Sequence, residues 1–176
     1  RSLAFAAQNK FELALDDCDA ILRVQPDAGM AHGVRGRMLQ MQGEFEEAIQ
    51  ACSRAIELGT EAPMVFIARG IAYSATDEPE LALADCEAAL ELDPQNPLAL
   101  HLRGTLSIQR GELETAMEDF SKAKQIAPDW SEPREQIALL HRINENPDAA
   151  IEEQNILIDK QPQNPAHYVN RAFAYT

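Results

Sequence analysis

Side chains that often act in catalysis or metal binding are sparse and widely separated in this 176-residue chain. Its cysteines are Cys18, Cys52 and Cys86, with no CxxC pair, and no two histidines have the short spacing of zinc ligands. The chain also lacks a glycine-rich phosphate loop, a nucleophile elbow and an HExxH motif. These patterns predict a non-enzymatic protein with no metal and no cofactor.

Charge and hydropathy narrow the class of partner. The chain has 29 acidic and 15 basic residues, which give a formal net charge of −14. This charge argues against binding to nucleic acid or to an anionic membrane, because both require basic residues that neutralise phosphate groups. No apolar run reaches the length of a membrane-spanning helix. We therefore expect a protein or peptide partner. Unpaired cysteines favour the cytoplasm, although the sequence leaves the compartment open.

The spacing of the cysteines reveals an internal repeat. Both gaps, 52 − 18 and 86 − 52, equal 34 residues, and Pro94 and Pro128 keep the same step. An alanine recurs with this period, as does a small residue. The alanines are Ala14, Ala48, Ala82, Ala116 and Ala150, and the small residues are Ser2, Gly36, Gly70, Gly104, Ala138 and Ala172.

Each repeat has the pattern of two helices joined by a turn. Apolar residues at helical spacing run from Met64 to about Thr76 and resume from Glu80 to Leu92, and the polar, proline-containing segment 77–79 separates them. A small residue within the first helix allows the second helix to pack closely against it. Proline ends the second helix because it has no N–H to continue the hydrogen bonding.

This pattern resembles the tetratricopeptide repeat family along the whole chain. Two repeats typify the match, through Phe66, Gly70, Tyr73, Ala82, Ala89 and Pro94 and through Gly36, Leu39, Gly43, Phe45, Ala48, Ala55 and Ile56. The resemblance implies an all-α, right-handed superhelical solenoid of 34-residue helix-turn-helix repeats. It also implies a concave groove that serves protein–protein interaction.

The prolines set the boundaries of the repeats. We expect complete repeats at 29–62, 63–96, 97–130 and 131–164, with partial repeats at 1–28 and 165–176. Because neither end shows a polar capping helix, we expect the chain to be a segment of a longer protein.

The resemblance also indicates which residues would line the groove. They lie on the side of each first helix that the family fold turns toward the groove. The set is Met30, Val34, Arg37, Met64, Ile67, Ile71, Leu98, His101, Thr105, Glu135 and Leu139. Such a surface suits an apolar peptide or an amphipathic helix. The alternative is that these residues pack against neighbouring helices or against a segment outside this sequence. Charge at Ile67 is expected to abolish binding without unfolding the chain.

Two recurrent residue types have predicted structural roles. Arginines just before the small residue, at Arg35, Arg69, Arg103 and Arg171, are expected to bridge acids of second helices, at Asp17, Asp85, Asp119 and Glu153. Replacing Arg103 with methionine is expected to cost no more than about 1.5 kcal/mol. The cysteines are expected to pack in the core.

Three functions remain open from the sequence. The first is a non-catalytic scaffold that binds a partner in the groove. The second is a structural spacer or self-assembly segment whose exposed end repeats stack on the next part of the same protein or on another copy. The third is the targeting arm of an enzyme whose catalytic domain lies elsewhere. An acidic strip at the turns is either a solvated edge or a docking site for a basic partner.

Overall fold

The computed structural model describes the backbone of residues 2–175 and the side chains of residues 10–175. Within residues 2–175 it contains ten α-helices and no strand. The helices are α1 (Ser2–Val24), α2 (Gly29–Gln42), α3 (Phe45–Glu57), α4 (Pro63–Ala75), α5 (Pro79–Leu92), α6 (Pro97–Gln109), α7 (Leu113–Ile126), α8 (Glu132–Ile143), α9 (Pro147–Lys160) and α10 (Pro165–Ala174). The expected all-α repeat fold is confirmed.

The helices form two compact units, Arg1–Leu102 and Arg103–Thr176, and α6 contributes to both. In unit 1, α2 packs on α3 and α4 packs on α5 as antiparallel hairpins. In unit 2, α8 packs on α9, and α9 also contacts α10.

A left-handed residue ends the first helix of each complete hairpin. Gly43, Asp77, Gly111 and Glu145 have φ values of 86°, 63°, 76° and 53°. In each case the next N–H donates to a carbonyl five residues earlier, as from Glu44 to Leu39 at 3.0 Å. This hydrogen bonding satisfies the last carbonyls of the helix and reverses the chain.

Helix α1 departs from the hairpin plan. It runs unbroken from Ser2 to Val24, whereas in each later repeat a turn separates the first helix from the second. The segment 8–10 has neither the glycine nor the proline found in the other turns, so little in the local sequence stops a helix there. The side chain of Ser2, first of the small-residue series, lies outside the described residues.

Small residues in unit 1 bring the two helices of a hairpin into contact. A Cβ added to Gly36 would lie 2.4 Å from Cys52 Sγ and 3.0 Å from the Cys52 backbone nitrogen. Ala48 and Ala55 beside it are 0% exposed. The predicted role of the small-residue series is therefore confirmed here, because no larger side chain fits without displacing backbone.

In unit 2 a glycine also allows close packing of two helices, but the side chain that it contacts is a larger, aromatic one. A Cβ added to Gly104 would lie 2.9 Å from the ring of Phe120, which is 0% exposed. Phe120 packs in a core cluster with Ala116, Ile137 and Leu140. Glycine on one helix thus makes room for an aromatic ring on the other.

Arginine–carboxylate bridges join the two helices of a hairpin, as predicted. In unit 1, Arg69 donates two hydrogen bonds to Asp85, at 2.8 and 2.7 Å. In unit 2, Arg103 donates two to Asp119, both at 2.7 Å. Asp85 and Asp119 are 4% and 1% exposed, so each buried carboxylate depends on its arginine.

The other predicted bridges differ from this pattern. In the repeat of Arg35 the register position of Asp85 is Ala51, and Arg35 pairs instead with Asp19 of α1 at 3.3 Å. Arg171 donates to the side-chain oxygen of Asn155 instead of a carboxylate. Glu153 accepts from Lys124 and Arg134.

The cysteine side chains are buried, as predicted, and none is in a disulfide. Burial raises the pKa of the Cys52 thiol from 9.0 to about 12, because desolvation disfavours the thiolate. Cys86 donates to the carbonyl of Ala99 at 2.9 Å.

Because the thiolate is the reactive form, we expect Cys52 to resist alkylation. At pH 9 its reaction with iodoacetamide should be more than about 100-fold slower in the folded chain than in urea. Peptide mass spectrometry after timed labelling measures this ratio at Cys52 itself. Equal labelling rates in the folded and unfolded chain would contradict the burial of this thiol.

Candidate peptide-binding surface

The predicted groove residues of unit 1 differ widely in exposure. Met30, Val34 and Leu98 are 63%, 43% and 37% exposed. Arg37 is also exposed, whereas Met64, Ile71 and His101 are partly buried.

Ile67 is a correction to the predicted groove. It is 1% exposed, so a partner cannot contact its side chain in this structure. On a helical wheel Ile67 lies only about 60° from Gly70, whose face packs against Ala82 of α5 and Leu102 of α6. Helix α4 also contacts α2 and α3, so that only a narrow strip of its surface remains exposed to solvent. A charged residue at position 67 should therefore destabilise the core, so that substitution cannot be used to test peptide binding.

Met30 and Val34 lie close together in the structure, and the residues that face them belong to α1. They line an apolar cleft of about 380 Å³, together with Cys18, Ile21 and Asp17. Ile21 is 49% exposed. The register positions of Ala14, Cys18 and Ile21 in the next repeat are Ala48, Cys52 and Ala55, all 0% exposed under α2. This cleft therefore lies on the face of α1 that corresponds in register to the buried face of α3.

In unit 2 the predicted Leu139 lies in a second cleft. Leu139, Arg142, Ile143 and Phe173 line a depression of about 500 Å³ between the ends of α8 and α10. Leu139, Ile143 and Phe173 are 38%, 47% and 56% exposed. The Arg142 guanidinium carbon lies 5.5 Å from the centre of the Phe173 ring, which is cation–π distance. We call this depression the Leu139 cleft.

Local sequence fixes the two helices that border the Leu139 cleft. Helix α8 ends before the left-handed Glu145. Helix α10 begins at Pro165, and the Asn164 side chain caps it by accepting from the Ala166 N–H at 3.1 Å. Both ends are thus set by turn and capping residues.

A polar pocket of about 200 Å³ adjoins the Leu139 cleft. Leu139 and Arg142 line both, and the pocket adds Glu135, Gln154 and Asn170. Gln154 is 3% exposed, and its Oε1 has no hydrogen-bond partner within the part of the chain whose side chains are described. An unpaired buried amide oxygen costs free energy until a donor reaches it.

The remaining predicted residue of unit 2 is Thr105, which is partly buried and lines neither depression. Sequence reasoning missed Arg142 and Ile143 as cleft residues. They lie three and four residues after Leu139, which is one turn further along the same helix face. Extending the predicted face by one turn would have found them.

Comparison with protein families identifies the class. Three family models, each described as tetratricopeptide repeat, match residues 1–63, 65–96 and 86–118. The chain belongs to the tetratricopeptide repeat family, whose members are generally protein-interaction scaffolds. A search of curated protein sequences gives no match.

Solved structures show the same fold. A tetratricopeptide repeat protein from Parabacteroides merdae is 26% identical, with a TM-score of 0.76 over 99% of this chain and 69% of that one. YrrB, described as a TPR protein with an unusual peptide-binding site, is 22% identical, with a TM-score of 0.73 over 96% and 87%. The Cut9–Hcn1 structure of APC/C is 18% identical, with a TM-score of 0.82 over 97% and 34%.

Two other features bear on partners. None of the helices described between residues 2 and 175 has the length and hydropathy to span a bilayer. The acidic side chains at the turns are solvent-exposed, including Glu44, Glu78 and Glu112.

Proposed function

We propose that the chain is a non-catalytic interaction scaffold that binds an apolar segment of a partner protein in the Leu139 cleft. The observation that carries the proposal is the pair Leu139 and Phe173, two large apolar side chains exposed on the neighbouring helices α8 and α10. Exposed apolar surface of this kind favours a partner, since covering it contributes roughly 25 cal/mol per Å².

The depression suits one or two anchoring side chains. Ile143 and the stem of Arg142 extend the apolar wall, and the stacking of Arg142 on Phe173 holds both side chains at the rim. An amphipathic helix that presents leucine or methionine at i and i+3 or i+4 fits this type of surface.

The adjoining polar pocket adds a requirement on the partner. Gln154 Oε1 offers an unused acceptor, and the Glu135 carboxylate lies in the same pocket. A donor beside the apolar anchor, such as a lysine, an arginine or a free backbone N–H, would pair with these oxygens. A basic flank also suits a chain with a net charge of −14. We therefore propose a partner segment that combines an apolar anchor with a neighbouring basic residue.

A peptide-display selection tests the site. The chain is immobilised and used to select from a random peptide library, and the affinity of the enriched peptides is measured by fluorescence anisotropy. Leu139→Asp should weaken binding by at least about tenfold, because it puts a desolvated carboxylate at the anchor position.

Ile126→Asp is the matched control. Ile126 is 41% exposed, close to the 38% of Leu139, and it lies in the same compact unit but not in the cleft. It should leave peptide affinity unchanged, with circular dichroism showing both variants folded. Equal binding by Leu139→Asp and wild type would overturn the proposed site.

A further inference from the structure

Gln154 of α9 is a polar residue at a register position that is apolar in the earlier repeats. It is 3% exposed, and its Oε1 has no hydrogen-bond partner among the side chains described. The earlier second helices have buried residues at this position, namely Cys18, Cys52, Cys86 and Phe120. A buried amide with an unpaired oxygen destabilises the fold, so packing alone does not account for Gln154.

The residue at position 154 also explains the polar pocket of about 200 Å³ beside the Leu139 cleft. One repeat earlier, the Phe120 ring lies against Gly104 and fills the space between the helices. In the next repeat the register of Gly104 is held by Ala138 and that of Phe120 by the narrower Gln154. Ala138 and Gln154 both line the pocket. The hollow that replaces the ring therefore has an unpaired acceptor in its wall.

The Glu135 carboxylate in the same pocket is weakly paired. The ion pair found for it among the described side chains is with His167, and its Oε1 lies 4.0 Å from His167 Nδ1, which is beyond hydrogen-bond distance. Arg134, the preceding residue on α8, pairs with Glu153 instead. Glu135 is therefore able to accept a hydrogen bond from a ligand.

Acceptor groups surround the pocket on three helices. Glu135 lies on α8, Gln154 on α9 and Asn170 on α10. A primary ammonium has three hydrogens that point in different directions, which suits acceptors on three sides. The guanidinium of arginine is a planar fork that suits one carboxylate in its own plane. The arrangement of acceptors therefore favours an ammonium group.

The lining of the pocket and the cleft suits a lysine side chain. Leu139 and Arg142 line both depressions, so a side chain beside the apolar anchor reaches the pocket directly. Among the described residues that line the two depressions, Arg142 is the one cation, and it stacks on Phe173. The acids Glu135 and Glu145 outnumber it. Leu139 also provides apolar surface for the methylene stem of a lysine.

We propose that the pocket binds a lysine side chain of the partner segment, with its ammonium donating to Gln154 Oε1, to the Glu135 carboxylate and to the Asn170 side-chain oxygen. This inference rests on the proposed function, because the lysine belongs to the segment whose apolar residue fills the Leu139 cleft. Binding pairs the buried amide oxygen and brings a cation to a chain with a net charge of −14.

Parallel peptide selections test the lysine. A helical peptide library with leucine at two positions four residues apart, and all other positions random, is selected on wild type and on Gln154→Met. Methionine is unbranched like glutamine and adapts to apolar surroundings. On wild type, lysine should be enriched at least about fivefold at one position near a leucine. On Gln154→Met this enrichment should be absent.

Substitutions in an enriched peptide measure the contact. Norleucine keeps the stem of lysine without the ammonium, and arginine keeps the charge with a different shape. In fluorescence anisotropy, each replacement should weaken binding to wild type by at least about tenfold. The ratio of lysine to norleucine affinity should fall by at least about fivefold in Gln154→Met and in Glu135→Gln.

Glu152→Gln is the matched control for charge. It removes one negative charge from the same compact unit, but Glu152 is exposed on α9 and lines neither depression. The preference for lysine should be unchanged in this variant. An equal fall in Glu135→Gln and Glu152→Gln would show that the net charge of the chain attracts the lysine, and would overturn the site.

The same selections separate the failure of this inference from the failure of the proposed function. Peptides that require Leu139 but show no preference for lysine would overturn the lysine site alone. Peptides that bind equally well to Leu139→Asp would remove the anchor and the lysine site together. Gln154→Met should have a urea midpoint at or above that of wild type, because it removes an unpaired buried group. Loss of the lysine preference would then not reflect unfolding.

Discussion

Replacing Arg103 with methionine is expected to lower the free energy of unfolding by about 3–5 kcal/mol. The reason is the burial of its partner, since Asp119 is 1% exposed and accepts two hydrogen bonds from the guanidinium. Methionine would leave a desolvated carboxylate without its cation. This replaces the limit of about 1.5 kcal/mol expected from the sequence, which assumed a compensated pair.

Urea unfolding followed by circular dichroism measures the change in the free energy of unfolding. Two further variants show whether the loss comes from the buried charge. Arg103→Met/Asp119→Leu should recover most of the loss, because both charges are then absent. Arg110→Met is the control. Arg110 and Glu112 also pair, at 3.0 Å, but are 49% and 46% exposed, so this loss should stay within about 0.5 kcal/mol. Equal losses in Arg103→Met and Arg110→Met would show that burial does not govern these bridges.

Phe120→Ala is the second large effect, with an expected loss of about 3–5 kcal/mol. Its ring is 0% exposed and fills the space that Gly104 leaves, against Ile137 and Leu140. Alanine would leave a cavity in the centre of unit 2, where the surrounding helices can relax only in part.

Thermal and urea unfolding measure the loss of stability in Phe120→Ala and, as a control, in Ile126→Ala. Ile126 is on the same helix, α7, but is 41% exposed, so its truncation should cost less than about 1 kcal/mol. A similarly small loss for Phe120→Ala would mean that Gly104 and Phe120 do not form a tightly packed contact.

Most of the fold follows from local signals that recur with a fixed period. Proline two residues after a helix end, as at Pro94 after Leu92, and glycine at a left-handed turn, as at Gly43, each restrict the backbone by themselves. The small residue at Gly36 or Gly70 then allows the second helix to pack closely. Because these constraints act within one repeat, a single sequence is enough to predict them.

The exposure of groove residues depends on how many neighbours each helix has. Met30, Val34 and Ile67 are all predicted groove residues, yet the first two are exposed and Ile67 is buried. Helix α4 contacts helices on both sides, whereas the α1 side of α2 is only partly covered. Helical periodicity gives the direction of a side chain but not the extent of the covering neighbours.

The α1 helix shows the same limit for backbone structure. The sequence of residues 1–18 matches a hairpin, but the structure keeps one helix through residue 9. The segment 8–10 has neither the glycine nor the proline of the other turns, so the local sequence is compatible with both a hairpin and a straight helix.

The most direct test of the proposed scaffold function is a methyl NMR titration of the chain with a peptide selected on it. We expect the largest shift changes at the methyl groups of Leu139 and Ile143, with loss of those changes in Leu139→Asp and their retention in Ile126→Asp. Shift changes confined to residues outside the Leu139 cleft, such as those beside the exposed acidic turns, would contradict the account.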